Sequence, residues 1–390
     1  MTHRTAWTIT SVAGAAFVVA CVLVEQGLTS SALYSDVHVY ARYGHEMLDG
    51  RIPYRDFFDE YPPLAQPAFL FAAAGAIAFK AAMTACGVGA TACAVFTLRA
   101  VGAPAWRAVV AGGVIAASPL LVGPIFLNAY DLWPAFLLSL ALLLLVLGRP
   151  VPAFAVLGAA VAAKAYPAAA LPIFVVAAAA GVRRRALVAF AVVLVAAHLP
   201  FAVLGPGGLH HSYDLQARRG LELNSLGSSI LLATGHRRLA NEPPGSLNVV
   251  GGTARAVAAL STVLVLAAIA AATYAYVRRR PLVTSVAAAV AGFVAFDKVF
   301  SAQYVDWLVP LAPLAGIGAS ALTVVVLVLT RLVFSHRAAL AEQHDVPLLL
   351  ARNLAAVALF LSLLLLREPA PGYRSWRRRP GRRRCPPAGR

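Results

Sequence analysis

The chain has 390 residues, 60% hydrophobic and 13% charged, with a mean hydropathy of +0.76. That balance excludes a soluble globular enzyme and leaves an integral membrane protein. The formal net charge of +17 would suit nucleic acid, yet residues 367–390 alone hold nine Arg against one Glu. A basic cluster directly after the last apolar run marks the cytoplasmic side and meets anionic headgroups. No base-stacking pattern runs through these arginines, so membrane lipids are expected as partners and nucleic acid is not.

The amino end, MTHRTAWTIT, precedes an apolar run to about Val24, read as an uncleaved first span rather than a signal peptide. Further spans are expected at about 80–98, 107–126, 132–148, 186–204, 253–277, 282–296, 304–318, 319–334 and 346–366, at about 20 residues per crossing. The stretch 151–182 is too long for one span and starts and ends at arginines, so two short helices meeting near Lys164, Tyr166 and Pro167 are predicted. This gives an all-α polytopic membrane protein of about 12 transmembrane helices. Both ends and every arginine triplet then lie in the cytoplasm, as the positive-inside rule asks. A transmembrane domain over 1–366 follows, with a first external loop at 26–79, a second long one at 205–250, and a basic cytoplasmic tail at 367–390. The Ala-, Val- and Arg-rich, Lys-poor composition points to GC-rich coding of an actinobacterial kind.

Cysteine chemistry is not indicated. Cys86 and Cys93 stand about 10 Å apart on one helix, too far to bridge, and no metal-ligand spacing or cofactor motif is present. The polar groups instead fall in five segments on one side: 36–60, 128–131, Lys164, 216–224 and 297–306. The first, DVHVYARYGHEMLDGRIPYRDFFDEYPP, lies in the external loop 26–79, which carries short interfacial helices, one of them at about 64–79, and its carboxylates include Asp36, Asp49, Asp56, Asp59 and Glu60. Asp49, Asp56 and Asp59 read as solvated loop acids. Asp36 differs, following the first span and opening a helical run with Tyr40 and Tyr43 on one face. A fixed carboxylate beside an apolar wall gains basicity and can remove a proton from an attacking hydroxyl.

An ionisable residue within a span is a functional candidate by default. Lys164 either snorkels to the interface or, with Arg218, Arg219 and Lys298, binds an anionic group such as a phosphate. Arg218 and Arg219 alone read equally well as a solvated pair. A secondary transporter also has about 12 spans and broken helices, but it gathers polar groups at the midplane and shows a half-to-half repeat. Neither feature is visible here.

Several motifs carry a family resemblance: Asp36-x3-Tyr40, Gly50-Arg-Ile-Pro-Tyr54-Arg-Asp56, Glu60-Tyr-Pro-Pro-Leu64, AAKAYPAAALP (162–172), QARRGLELNSL (216–226) and KVFSAQYVDWLVPL (298–311). In this order they resemble glycosyltransferase family 87, the polyprenyl-phosphate-mannose-dependent α-mannosyltransferases of the C fold. The resemblance implies an inverting hexosyl transfer on the outer face of the cytoplasmic membrane, from a polyprenyl-phosphate sugar donor to a lipid-linked glycan acceptor, without a cofactor. It implies Asp36 as general base and Lys164, Arg218, Arg219 and Lys298 as donor-phosphate ligands. Tyr40, Tyr54, Glu60, Tyr61, Gln303 and Tyr304 would line the substrate chamber. The family commonly has Pro before the Gln-Tyr pair, where this chain has Ala302.

Overall fold

A computed structural model describes residues 1–28, 35–242, 245–335 and 345–365. The expected basic tail at 367–390 lies outside the described residues, as do the residues 336–344 between the last two helices. Within the described part the chain is nearly all helix, because a backbone in hydrocarbon must satisfy its own hydrogen bonds. Seven helices are long and apolar enough to cross a membrane. They are α1 (His3–Glu25), α4 (Ala76–Ala100), α5 (Ala105–Val122), α9 (Ala180–Leu204), α12 (Gly252–Val277), α14 (Ile317–Ser335) and α15 (Val346–Leu365).

Shorter helices fill the spaces between. Among them are α2 (Val37–Leu48) and α3 (Gln66–Ala73) in the first loop, then α6 (Leu132–Val146), α7 (Pro150–Ala163), α8 (Leu171–Ala177) and α13 (Leu282–Phe296). The predicted break at Lys164 is present: α7 ends at Ala163, Lys164 takes an extended conformation, and a 3-10 turn at Tyr166–Ala170 leads into α8.

Two expectations are corrected. The span expected at 304–318 is not a continuous helix but two 3-10 turns, Ala302–Trp307 and Ala312–Ala315. Pro310 and Pro313 remove the donors a helix would need there. The irregular backbone is tolerated because it is enclosed by protein, with Val305, Trp307, Leu308, Leu311 and Leu314 all at most 1% exposed. The second long loop is also not purely helical. Between α10 (Pro206–Arg218), α11 (Leu226–Ala233) and α12 it holds a small antiparallel sheet, β1 (Leu221–Glu222), β2 (Leu239–Glu242) and β3 (Ser246–Val249), in the order β1–β3–β2.

Cross-links between helix ends define the poles. At one pole Arg107, near the start of α5, donates to Leu314 O (2.5 Å), and Arg280, past the end of α12, donates to Leu365 O (3.0 Å). At the other, Glu25 at the end of α1 pairs with Lys80 near the start of α4 (2.5 Å), and Asp36 N–H donates to Asn128 O beyond α5 (3.1 Å). Small residues let helices approach closely, as is usual in membrane bundles. A Cβ on Gly158 of α7 would stand 2.7 Å from Phe190 O of α9.

The first loop is clasped onto the α9–α10 junction. Tyr54 holds φ at 65°, the left-handed region that costs a non-glycine residue about 1–3 kcal/mol. Its hydroxyl donates to Tyr61 O, and its ring meets Phe201 edge-on at 5.2 Å. Its carbonyl lies where Gly208 has no side chain, since a Cβ there would be 1.8 Å from Tyr54 O. Gly208→Ala is therefore expected to displace the segment carrying Glu60 and Tyr61 and to cost about 2–4 kcal/mol or more. A thermal melt in detergent checks this; a variant melting with the wild type would refute the clasp.

Candidate functional site

The pole bearing Asp36 opens into a cavity of about 740 Å³, within the range of a small-molecule site. Its charged lining is Asp36, Glu60, Glu222 and Asp297 on the acidic side and Lys164, Arg219 and Lys298 on the basic side. The lining comes from the start of α2, the loop before α3, the break after α7, the end of α10 with β1 and the segment from the end of α13 to Trp307, joined by Tyr130 before α6, Ser246 of β3 and Phe334 of α14.

Asp36 sits at the amino cap of α2 and its side chain makes no capping bond. Its Oδ2 accepts from Tyr40 Oη (3.3 Å). Burial pushes its pKa above the ordinary carboxylate range, opposed by the charge of Lys164 and reinforced by Asp131. Beneath it Tyr40 stacks on Phe69 (4.9 Å, 14°) and meets Tyr61 and Tyr130 edge-on, both at 5.5 Å. This aromatic floor is the apolar wall that desolvates the acid. Tyr40 is itself fully buried and supports the chamber from behind, as Tyr54 does from the clasp, and neither lines the cavity. Tyr61, Gln303 and Tyr304 do line it.

Lys164 lines the cavity with its ammonium already engaged. Nζ donates to Asp131 Oδ1 (2.6 Å), and Trp307 Nε1 donates to the same oxygen (2.6 Å). The ammonium stands 4.7 Å from the centre of the Tyr130 ring and 5.4 Å from that of Trp307, within cation–π range. Trp307 is sandwiched between Tyr166 (3.9 Å) and Tyr304 (4.0 Å). Asp131 was thus missed as a site residue, along with Trp307. Its signal was the polar group 128–131 between two apolar runs, which named a cluster without naming a partner.

The other cations separate. Arg218 ends α10, pairs with Asp214 (2.7 Å), is 78% exposed and does not line the cavity. Arg219 turns inward past the helix end; its Nη1 donates to Gln216 Oε1 (3.4 Å), and its buried Nε has no hydrogen-bond partner among the described residues. Lys298 Nζ donates to Ala217 O (2.6 Å), and burial lowers its pKa against the opposing charge of Asp297. Arg219 is therefore the least committed of the three cations.

Burial also raises Glu60, opposed first by Arg219, and raises Glu222 against its bonds from Phe300 N–H and Asn224. It pushes Asp297 up to about 6, opposed by the Lys298 N–H. Of the acids read as loop, Asp56 accepts from Arg55 (2.8 Å) and from Ile52 N–H (2.8 Å), which hold it down to about 2. Asp59 is not solvated: it is fully buried and accepts from Tyr61 N–H (3.0 Å). Burial pushes it up to about 7, opposed by that same N–H.

A sign follows for Asp59. Its folded pKa exceeds its unfolded value, so the unfolded chain releases the proton first and stability falls as pH rises from about 4 to about 7. Asp59→Asn removes that loss, and its melting temperature is expected to exceed the wild type's at pH 8 by the equivalent of about 2–4 kcal/mol, with little gap at pH 4.5. A gap independent of pH would contradict the placement. Among the described residues, no group of three or more His, Cys, Asp or Glu is placed to hold a metal ion.

The comparisons with known proteins bear on what this chamber is for. A model of glycosyltransferase family 87 matches residues 58–302, well over half of the chain. The match takes in Glu60, Lys164, Arg219 and Lys298, and Asp36 precedes it. No curated protein and no solved structure matches. With its apolar helices and the extent of that match, the chain belongs to glycosyltransferase family 87 and is a membrane glycosyltransferase.

Proposed function

We propose that the chamber transfers a mannosyl or related hexosyl unit from a polyprenyl-phosphate sugar to a hydroxyl of a lipid-linked glycan, with inversion. The observation that carries this reading is one cavity lined by a desolvated carboxylate, Asp36, and by three cations, Lys164, Arg219 and Lys298. A hydroxyl acceptor needs a base, and a departing phosphate needs positive charge. In the step, the acceptor oxygen bonds to the anomeric carbon and the carbon–oxygen bond to phosphate breaks, its electron pair staying on the phosphate. The hydroxyl proton passes to the Asp36 carboxylate. Arg219, with an unused buried N–H, and the two lysines offset the charge that grows on the leaving group. Arg218 stays outside this set.

The site is proposed to face the outside of the cytoplasmic membrane. Support comes from the arginines: Arg107 and Arg280 tie helix ends at the pole opposite Asp36, and the positive-inside rule makes that pole cytoplasmic. On this reading the shorter segments complete about 12 passes over residues 1–366, the two 3-10 turns at 302–315 forming one of them. Membership of a transferase family does not favour a transporter.

The test is direct. Purified protein given polyprenyl-phosphate-mannose and a lipid-linked glycan is expected to release polyprenyl phosphate and glycosylate the glycan. Turnover of a nucleotide sugar in place of that donor would overturn the reading.

A further inference from the structure

Two stretches that line the chamber, 219–224 and 297–304, are joined by Glu222. Its N–H donates to Lys298 O (2.9 Å), its Oε2 accepts from Phe300 N–H (3.1 Å) and its Oε1 accepts from Asn224 Nδ2 (2.5 Å). Arg219 and Lys298, the cations of these stretches, are thereby held at a fixed spacing. Behind the tie, and not lining the cavity, stands Arg352 of α15. It is fully buried in a helix of mean hydropathy 2.2.

A charge in such a helix is expensive to keep. Arg352 Nη2 donates to Asn224 O (2.5 Å), and its guanidinium lies 3.6 Å from the centre of the Phe300 ring. It thus touches one residue from each stretch. Asn224 links it to the tie, since its carbonyl accepts from Arg352 and its side-chain amide donates to Glu222 Oε1. Asn353 adds bonds to Asn224 O (3.2 Å) and Ser225 O (3.1 Å). Among the described residues, Nε and Nη1 of Arg352 have no hydrogen-bond partner, so its bonds to this wall run through Nη2 and its ring contact through the Phe300 face. An apolar side chain would fill the space without that charge.

We infer that Arg352 is a positioning residue: from behind the wall it fixes the Glu222 tie, and with it the spacing of Arg219 and Lys298 that receives the donor phosphate. The phosphate clause rests on the function proposed above; the tie does not.

The experiment has two arms on the full chain in nanodiscs. In the first, hydrogen exchange compares Arg352→Met with the wild type, and faster exchange confined to 219–224 and 297–304 is expected. Unchanged exchange there overturns the tie, whatever the donor. In the second, Arg352→Met is expected to raise the donor KM about tenfold while kcat and the acceptor KM change less than about threefold, as loss of one charge-assisted bond implies. Arg352→Lys recovers much of the donor KM. Donor and acceptor KM rising together, or neither rising, overturns the phosphate clause. A wild type that does not turn over the polyprenyl-phosphate donor sinks the donor reading and leaves the exchange result to decide the tie. Should Arg352→Met not fold, the same measurements are made on Arg352→Gln, which removes the charge and leaves the Glu222 carboxylate and its bonds in place. Failure of both to fold overturns the positioning role.

Discussion

Asp36→Asn is expected to lower kcat by about 10²–10⁴, the range for loss of a general base, with the donor KM within about threefold of the wild type. The amide keeps the shape of the carboxylate and an oxygen to accept from Tyr40 Oη, so the fold and the melting temperature are expected to hold. It cannot take the acceptor proton. The pH profile carries the matching sign. Burial raises the Asp36 pKa, and the base form is the active one, so activity climbs with pH along a limb lying above the ordinary carboxylate range near 4. In Asp36→Asn that limb disappears from whatever activity remains. Wild-type kcat in a folded Asp36→Asn protein would remove Asp36 from the mechanism.

Lys164→Met is expected to do more damage, in two separable ways. Asp131 is fully buried and, among the described residues, accepts from Lys164 Nζ and Trp307 Nε1, both through Oδ1, while its Oδ2 has no hydrogen-bond partner. Removing the ammonium strands a buried carboxylate, which costs about 3–5 kcal/mol. Lys164→Met with Asp131→Asn strands nothing and is expected to recover most of the melting temperature. Transfer stays low in the double variant, because the cation facing the leaving group is still absent. For residual activity in the single variant the acid limb shifts upward, since burial raises Asp36, Asp131 adds to that, and Lys164 is the strongest influence opposing them. A single variant as stable as the wild type would contradict the pair, and full activity in the double variant would take Lys164 out of the phosphate site.

The contrast between Arg218 and Arg219 shows where sequence stops. Adjacent arginines at the end of a polar run are alike in spacing and chemistry. Which one turns inward depends on where α10 ends: Arg218 is its last residue, bonded to Asp214 one turn back, and Arg219 leaves the helix in an extended conformation towards the cavity. Lys164 was legible because an ammonium between apolar runs has few places to go. Its partner was not, since Asp131 resembles any acid at the end of a span. Tyr54 gave no signal of its left-handed backbone, which Gly205 and Gly208 permit from about 150 residues away.

The fold divides in the same way. Hydropathy located the long helices to within a few residues because length and apolarity are local properties. It failed at 304–318, where an apolar stretch with two prolines satisfies the same window and yet runs as 3-10 turns inside the protein. It also missed the three strands after α10, whose pairing of β1 with β3 joins Leu221 to Val249 across a long separation. Asp59, a loop acid by sequence, is buried and accepts from Tyr61 N–H, a placement set by how the first loop folds back and not by any local pattern.

Transfer in this chamber requires that it hold the phosphate of a lipid donor beside Asp36. A density map of the full chain in nanodiscs with bound polyprenyl phosphate tests it most directly. The predicted result places the phosphate within hydrogen-bond reach of Arg219 and at least one of Lys164 and Lys298, with the Asp36 carboxylate facing the vacant sugar position. A phosphate bound elsewhere, with the chamber free of it, would contradict the account.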